Sequence, residues 1–301
     1  MRPPPSHPPM TAFLVGMAGI ATFSAMDAVM KGLVLALGTY TTLFWRSLAG
    51  TAMAGTLFAR NPRWPDRPTM RLHLARGILG SGMAFLFFWG LARVPLAQAI
   101  ALAFIAPLIA LYLAAAILKE SVSPRILAGS LVAFAGVLVI FIGQARADLG
   151  REAMLGSLAI LASAVCYAIN IILMRRQAQA ASPVEVGFFQ SIIMAAVLVL
   201  VLPVVGEVAL PPLDQVAFIL LAAFLATASL LLLSWAYARA QASYLATTEY
   251  TSFLWAALFG WIFFNESVSG FTVAGAAMIV GGCLLAARTP EEADPSLEVA
   301  A

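Results

Sequence analysis

The chain is 301 residues long, 62% hydrophobic and only 10% charged, with 17 basic and 14 acidic side chains and a formal charge of +3. A soluble domain carries roughly 25% charged residues, so these counts exclude a water-soluble enzyme, a nucleic-acid-binding protein and a disordered chain. The mean hydropathy of +0.95 agrees, and the small basic excess reads as the bias that orients a chain in a bilayer.

Crossing about 30 Å of hydrocarbon takes roughly 20 apolar residues. In chain order, apolar runs bounded by charges, Pro and Gly predict ten membrane helices, at 11–31, 40–59, 72–91, 98–118, 125–143, 155–174, 184–205, 215–238, 243–264 and 270–287. Barrel strands would be about 10 residues long and would alternate in polarity; these runs are longer and apolar all round. The expected fold class is therefore an all-α membrane protein. Residues 1–10, MRPPPSHPPM, lack the short apolar stretch and cleavage site of a secretory signal and read as a disordered leader. The acidic segment 288–301 reads as a disordered tail.

Basic residues concentrate in alternate connections. Arg60, Arg63, Arg67 and Arg71, then Lys119 and Arg125, then Arg175 and Arg176 fall on one side; Lys31, Arg93, Arg146 and Arg151 fall on the other. The richer side is expected to be cytoplasmic, which places both termini there. His7 and His73 are far apart and no ligand cluster surrounds them. Cys166 and Cys283 sit in apolar runs and read as small buried hydrophobes. Neither a P-loop nor a nucleophile–base constellation is present, so no catalysis, metal or cofactor is expected.

The segment Lys119-Glu120-Ser121-Val122-Ser123 recurs as Asn265-Glu266-Ser267-Val268-Ser269. At the same offset Gly129 matches Gly275, Trp89 matches Trp235 and Arg93 matches Arg239; with a small gap, Phe44-Trp45-Arg46-Ser47 aligns with Phe188-Phe189-Gln190-Ser191. Two related halves of five spans, 11–143 and 152–287, follow. Because five is odd, the halves would enter the membrane from opposite sides, an inverted repeat with the substrate site between them.

Together with Arg46, Arg76-Gly77, Pro107 and Glu249-Tyr250, these segments resemble an EamA-type member of the drug/metabolite transporter superfamily. Ser24-Ala25-Met26-Asp27, Lys31 and Phe44-Trp45-Arg46-Ser47 resemble a bacterial branch that includes S-adenosylmethionine uptake proteins. The resemblance implies ten helices as two inverted five-helix repeats in the bacterial inner membrane. Spans 1–4 and 6–9 would surround a cavity and spans 5 and 10 would stand outside it. It also implies a secondary transporter of a small organic metabolite, S-adenosylmethionine-like or amino-acid-like, with export as the alternative direction. The expected partners are that metabolite, the bilayer and a coupling proton, the protein acting as a monomer. An intramembrane enzyme and a non-transporting scaffold are the rival classes. Catalytic residues clustered at one membrane face would favour the first; the cost of charges inside spans argues against the second.

Charges inside a span face the bundle interior or a water-filled cavity. Asp27, with Lys31 one turn later, and Arg46 lie at matching depths and are expected to form one cluster. Arg76 and Glu249 enter from the opposite side and are expected to form a second. Asp27, Arg46 and Glu249 are substrate-binding candidates; Lys31 and Arg76 are gating or ion-pair candidates. Tyr250, Phe253 and Trp89 are candidate rings for a flat ligand, and Asn170 is a candidate cavity amide. An amino-acid-like zwitterion would satisfy both a carboxylate and Arg46. Small-residue pairs Gly129/Ala133 and Ala277/Gly281 predict close helix packing.

Overall fold

The structure is a computed structural model that describes residues 9–62, 64–106, 108–110, 112–113, 124–146, 150–205, 207–237 and 248–287. Pro107, the segment Lys119–Ser123, Arg239, the first eight residues of the leader and the tail from residue 288 lie outside them. Among the described residues the chain forms ten bounded helices and no strand: α1 (Pro9–Leu37), α2 (Thr39–Phe58), α3 (Arg67–Leu91), α4 (Leu96–Ala103), α5 (Pro124–Arg146), α6 (Gly150–Ala180), α7 (Pro183–Val205), α8 (Leu213–Tyr237), α9 (Thr251–Phe264) and α10 (Gly270–Ala287).

Five of these, α1, α3, α6, α7 and α8, are long and apolar enough to cross a membrane by length and composition. Shorter apolar stretches occupy α4, α5, α9 and α10. The 20-residue α2 carries Arg46 among Thr, Ser and Gly. Large apolar side chains point outward, Leu131, Phe134, Leu200, Val204, Leu254 and Phe263 among them. A water-facing surface would not carry so many; the protein is a multi-pass membrane protein.

Helix boundaries follow local chemistry. Gly38, at φ 81°, is a one-residue break between α1 and α2 in a conformation that L side chains rarely adopt. Asp66 caps α3, accepting from the Thr69 N–H at 3.0 Å. That bond and the Thr69 side chain hold the Asp66 carboxyl below its ordinary range, so the cap persists above about pH 4 and is lost as the group protonates below it.

The fourth and ninth helices differ from the expected spans 98–118 and 243–264. Bounded helix α4 ends at Ala103, and the chain turns at Phe104 and Ile105. Pro107 brings no N–H for the carbonyl four residues earlier, so an uninterrupted ladder is unavailable there. Helix α9 begins at Thr251; Thr248 and Glu249 are also helical, but a turn at Tyr250 separates them from it.

Helix α1 packs against α8, α3 against α6, α2 against α7 and α5 against α10, and the short α4 and α9 also touch. The α5–α10 seam is the tightest. A Cβ on Gly136 would lie 2.6 Å from the Gly275 carbonyl oxygen, and a Cβ on Gly275 would lie 2.6 Å from that of Gly136. A Cβ on Gly282 would collide with the Gly129 carbonyl and with Ala133. Gly129/Ala133 therefore sits in the seam as expected. Ala277/Gly281 does not: both are exposed and a Cβ on Gly281 would meet nothing. The 3.6-residue period puts Gly275, Ile279 and Gly282 on the buried stripe and turns 277 and 281 away from it. Gly282→Val is expected to destabilise the protein by about 1–3 kcal/mol through overpacking, measured as a lower unfolding midpoint in detergent; Gly281→Val at the neighbouring position serves as the neutral comparison.

Candidate functional site

Two buried polar clusters occupy opposite ends of α3. At the C-terminal end, Lys31 of α1 is 3% exposed. Its ammonium donates to the Val94 carbonyl at 2.7 Å and to Glu266 Oε1, and lies 5.3 Å from the Phe264 ring centroid. Glu266 is aimed there by the end of α9. Asn265 adopts the left-handed conformation (φ 53°), and the Glu266 N–H returns to the Gly260 carbonyl at 3.0 Å, the reversal typical of a helix C-terminus. The carboxylate then folds over Gly260, where a Cβ would lie 2.9 Å from Oε2. The same Oε2 accepts from the Leu96 N–H at 2.7 Å, capping α4 at a helix N-terminus that favours negative charge. Beside it Arg93 covers the Trp89 ring at 3.5 Å and donates to Glu152 at 2.8 Å. Lys31, Arg93, Val94, Pro95, Phe264 and Glu266 line part of a hollow of about 310 Å³.

Asp27 lies one turn before Lys31, nearer the middle of α1, and is 1% exposed. Neither carboxylate oxygen has a hydrogen-bond partner among the described residues. Arg46 of α2 lies within Coulombic range of it. The expected Asp27/Lys31/Arg46 cluster is thus divided. Asp27 and Arg46 lie within Coulombic range of each other, while Lys31 donates to Glu266 and to the Val94 carbonyl.

At the other end of α3, Arg76 donates Nε–H to Asn170 Oδ1 at 3.1 Å and Nη1–H to Gln177 Oε1. Gln177 Nε2 lies 2.6 Å from His73 Nδ1, and His73 Nε2 lies 3.1 Å from Glu185 Oε1. The Phe189 ring stacks on the imidazole at 4.6 Å and 22°. The direct bonds of Arg76 therefore go to the amides of α6. Tyr167 lies within Coulombic range of both Arg76 and Glu249. Asn170 is buried and accepts from Arg76 across the α3–α6 interface.

Of the candidate rings, Tyr250 packs edge-on against Phe104 at 5.5 Å, and Phe253 is partly buried on the main apolar cluster. Trp89 is occupied as the platform for Arg93. The sequence reading did not single out Glu266, Gln177 and Glu185, and read His73 as isolated; the structure brings all four into the two clusters. Signals were present: Glu266 repeats Glu120, His73 and Arg76 lie three residues apart on one face of α3, and Asn170 and Gln177 lie two turns apart on α6. Among the described residues no group of His, Cys, Asp and Glu is arranged to hold a metal.

A multi-pass helical bundle with buried ionic clusters at both ends has the make-up of a membrane transporter. The model of the EamA-like transporter family matches residues 10–142 and 154–288, and the chain belongs to that family. It is 26% identical over 279 residues to the pseudopaline exporter CntI of Pseudomonas aeruginosa, covering 92% of this chain and 95% of that one. It is 29% identical to the riboflavin transporter of Rhizobium johnstonii, covering 94% and 93%. A probable terminal-alkyne amino-acid exporter of Streptantibioticus cattleyicolor is 32% identical over 149 residues, covering 50% and 48%. A crystal structure of a protein aligns with a TM-score of 0.60 at 21% identity, covering 93% of this chain and 98% of the other, a likeness of fold.

Proposed function

We propose that the protein is a secondary active transporter that moves a small organic metabolite across a bacterial inner membrane by alternating access of two inverted five-helix repeats. The observation that carries this reading is the pair of buried polar clusters roughly 22–27 Å apart along α3, at 1.5 Å per residue. Each joins the two halves: Lys31 of the first half to Glu266 of the second, and His73 and Arg76 of the first to Asn170, Gln177 and Glu185 of the second. Contacts that cross between halves at both ends are what alternating access would break in turn.

Packing supports the repeat. Exchanging the halves turns the α1–α8 pair into α3–α6 and returns α2–α7, α4–α9 and α5–α10 to themselves. At the offset that relates Lys119-Glu120-Ser121 to Asn265-Glu266-Ser267, the Gly129–Gly282 contact becomes Gly275–Gly136. Phe104 and Tyr250, which touch, exchange places. The substrate site is assigned to the space between the clusters, with Asp27, Arg46, Glu249, Tyr250 and Phe253 as lining candidates. Both termini are placed in the cytoplasm, and the ligand favoured is an amino-acid-like zwitterion. Export is the direction favoured by the relatives named as exporters; uptake of an S-adenosylmethionine-like molecule is the second reading.

The test screens purified full-length protein by thermal shift against amino acids, S-adenosylmethionine and riboflavin. A ligand present at about 100 times its Kd adds roughly 2.7 kcal/mol of stability. The stabilising compound is then followed into proteoliposomes with and without a pH gradient. Saturable accumulation that depends on the gradient is expected. Equal accumulation without a gradient removes proton coupling, and no saturable movement of any stabilising compound removes the transporter reading.

A further inference from the structure

We propose that His73 is a proton-binding site whose occupancy costs the α3–α6 interface one hydrogen bond at the Arg76 end of the bundle. The argument rests on the polarity of the hydrogen-bonded chain. Arginine can only donate, so the Gln177 atom facing Arg76 is its oxygen. The Gln177 amide nitrogen then faces His73 Nδ1 at 2.6 Å and donates to it. With Nδ1 accepting, the neutral ring carries its proton on Nε2 and donates to Glu185 Oε1 at 3.1 Å. From Arg76 to Glu185 every bond points the same way, and the tautomer is fixed without reference to any assigned hydrogen.

A second proton on the ring would sit on Nδ1, which then becomes a donor facing a donor. Turning the amide over gives His73 an oxygen but presents the amide N–H₂ to Arg76, which has no acceptor. No orientation of Gln177 serves both cations. One bond of the chain must break: with the amide turned, Arg76 loses Gln177 and keeps its bond to Asn170, while His73 keeps Gln177. Glu185 supplies the negative charge that a buried imidazolium requires, so the proton is held while one of the three α3–α6 hydrogen bonds named here is lost. Phe189, stacked on the ring, opposes a swap of its two nitrogens. Among the described residues the ionisable groups around this chain are Glu185 from α7, Arg76 from α3, and Tyr167 from α6, which lies within Coulombic range of Arg76 and of Glu249. Histidine is the side chain whose charge ordinarily changes between pH 5 and 8. The site would give the proposed transporter a coupling proton at one gate, and in that consequence it rests on the transport reading.

The chain has two histidines, so His7→Asn leaves one imidazole in the full-length protein. Nitrogen NMR of this variant with labelled histidine is expected to show the neutral Nε2–H tautomer at pH 8 and a doubly protonated ring by pH 5. In Gln177→Leu the neutral ring is expected to show both tautomers. Spin labels at Arg71→Cys and Arg176→Cys, with Cys166 and Cys283 replaced by Ala, should report a changed α3–α6 distance over the same pH range. In His73→Gln that movement should vanish. An Nδ1–H tautomer, a ring already cationic at pH 8, no second proton by pH 5, or the same movement in His73→Gln overturns the proposal. These readouts need no substrate, so their failure is distinct from a failure of the transport assay.

Discussion

Glu266→Ala is expected to lower the stability of the folded protein by about 3–5 kcal/mol, the range for stranding one partner of a buried ion pair. Lys31 is 3% exposed and would keep only the Val94 carbonyl and the Phe264 face. The Leu96 N–H would lose its acceptor as well. Glu266→Gln separates the two effects, because its amide oxygen still caps α4 while the charge is gone. Stability between that of wild type and of the Ala variant is expected for Gln. Lys31→Met removes the stranded cation, so Lys31→Met/Glu266→Gln should be more stable than Glu266→Gln alone. Chemical unfolding in detergent, read as a double-mutant cycle, measures the coupling. Additive single effects would show that the pair contributes nothing of its own.

Asp27→Asn is expected to reduce transport by about 10- to 100-fold, in keeping with the roughly 1.5–3 kcal/mol of a hydrogen bond to a charged group, while leaving expression and unfolding midpoint near wild type. The argument is again one of partners. A structural carboxylate at this depth would be tied to donors, as Glu266 and Glu185 are; both oxygens of Asp27 are buried with no hydrogen-bond partner among the described residues, with Arg46 nearby. Removing the charge therefore strands nothing except the electrostatic balance with Arg46. Proteoliposome transport set beside the melting curve decides the matter. A fall in stability with transport per folded molecule unchanged would mark Asp27 as scaffold, and near-normal transport by both Asp27→Asn and Glu249→Gln would remove the carboxylates from the mechanism.

Much of the architecture was legible because apolar runs and small-residue stripes are local signals. The Gly129/Ala133 face needed only helical periodicity. The site was legible only in its raw materials. Lys31 and Asp27 stand one turn apart, and spacing alone joins them with Arg46; the structure gives Lys31 to a carboxylate 235 residues away. His73 looked isolated for the same reason, since Glu185 lies 112 residues on. A lone sequence does not state which distant helices meet, and ionic partners inside a membrane are chosen by those meetings. The shift from Ala277/Gly281 to Gly275 and Gly282 is a smaller version of the problem: Gly content was visible, but the azimuth of the helix depends on its neighbour.

The α5–α10 seam carries a mechanical consequence. Along it, backbone carbonyls sit where a Cβ would otherwise be, at Gly136 against Gly275 and at Gly129 against Gly282. Ridges that close interlock in register, so sliding one helix past the other by a turn would drive Ile140 and Ile279, both buried beside the glycines, into opposing backbone. The pair behaves as a strut and not as a bearing. A rearrangement of the proposed kind would then fall to the remaining helices, pivoting about this column.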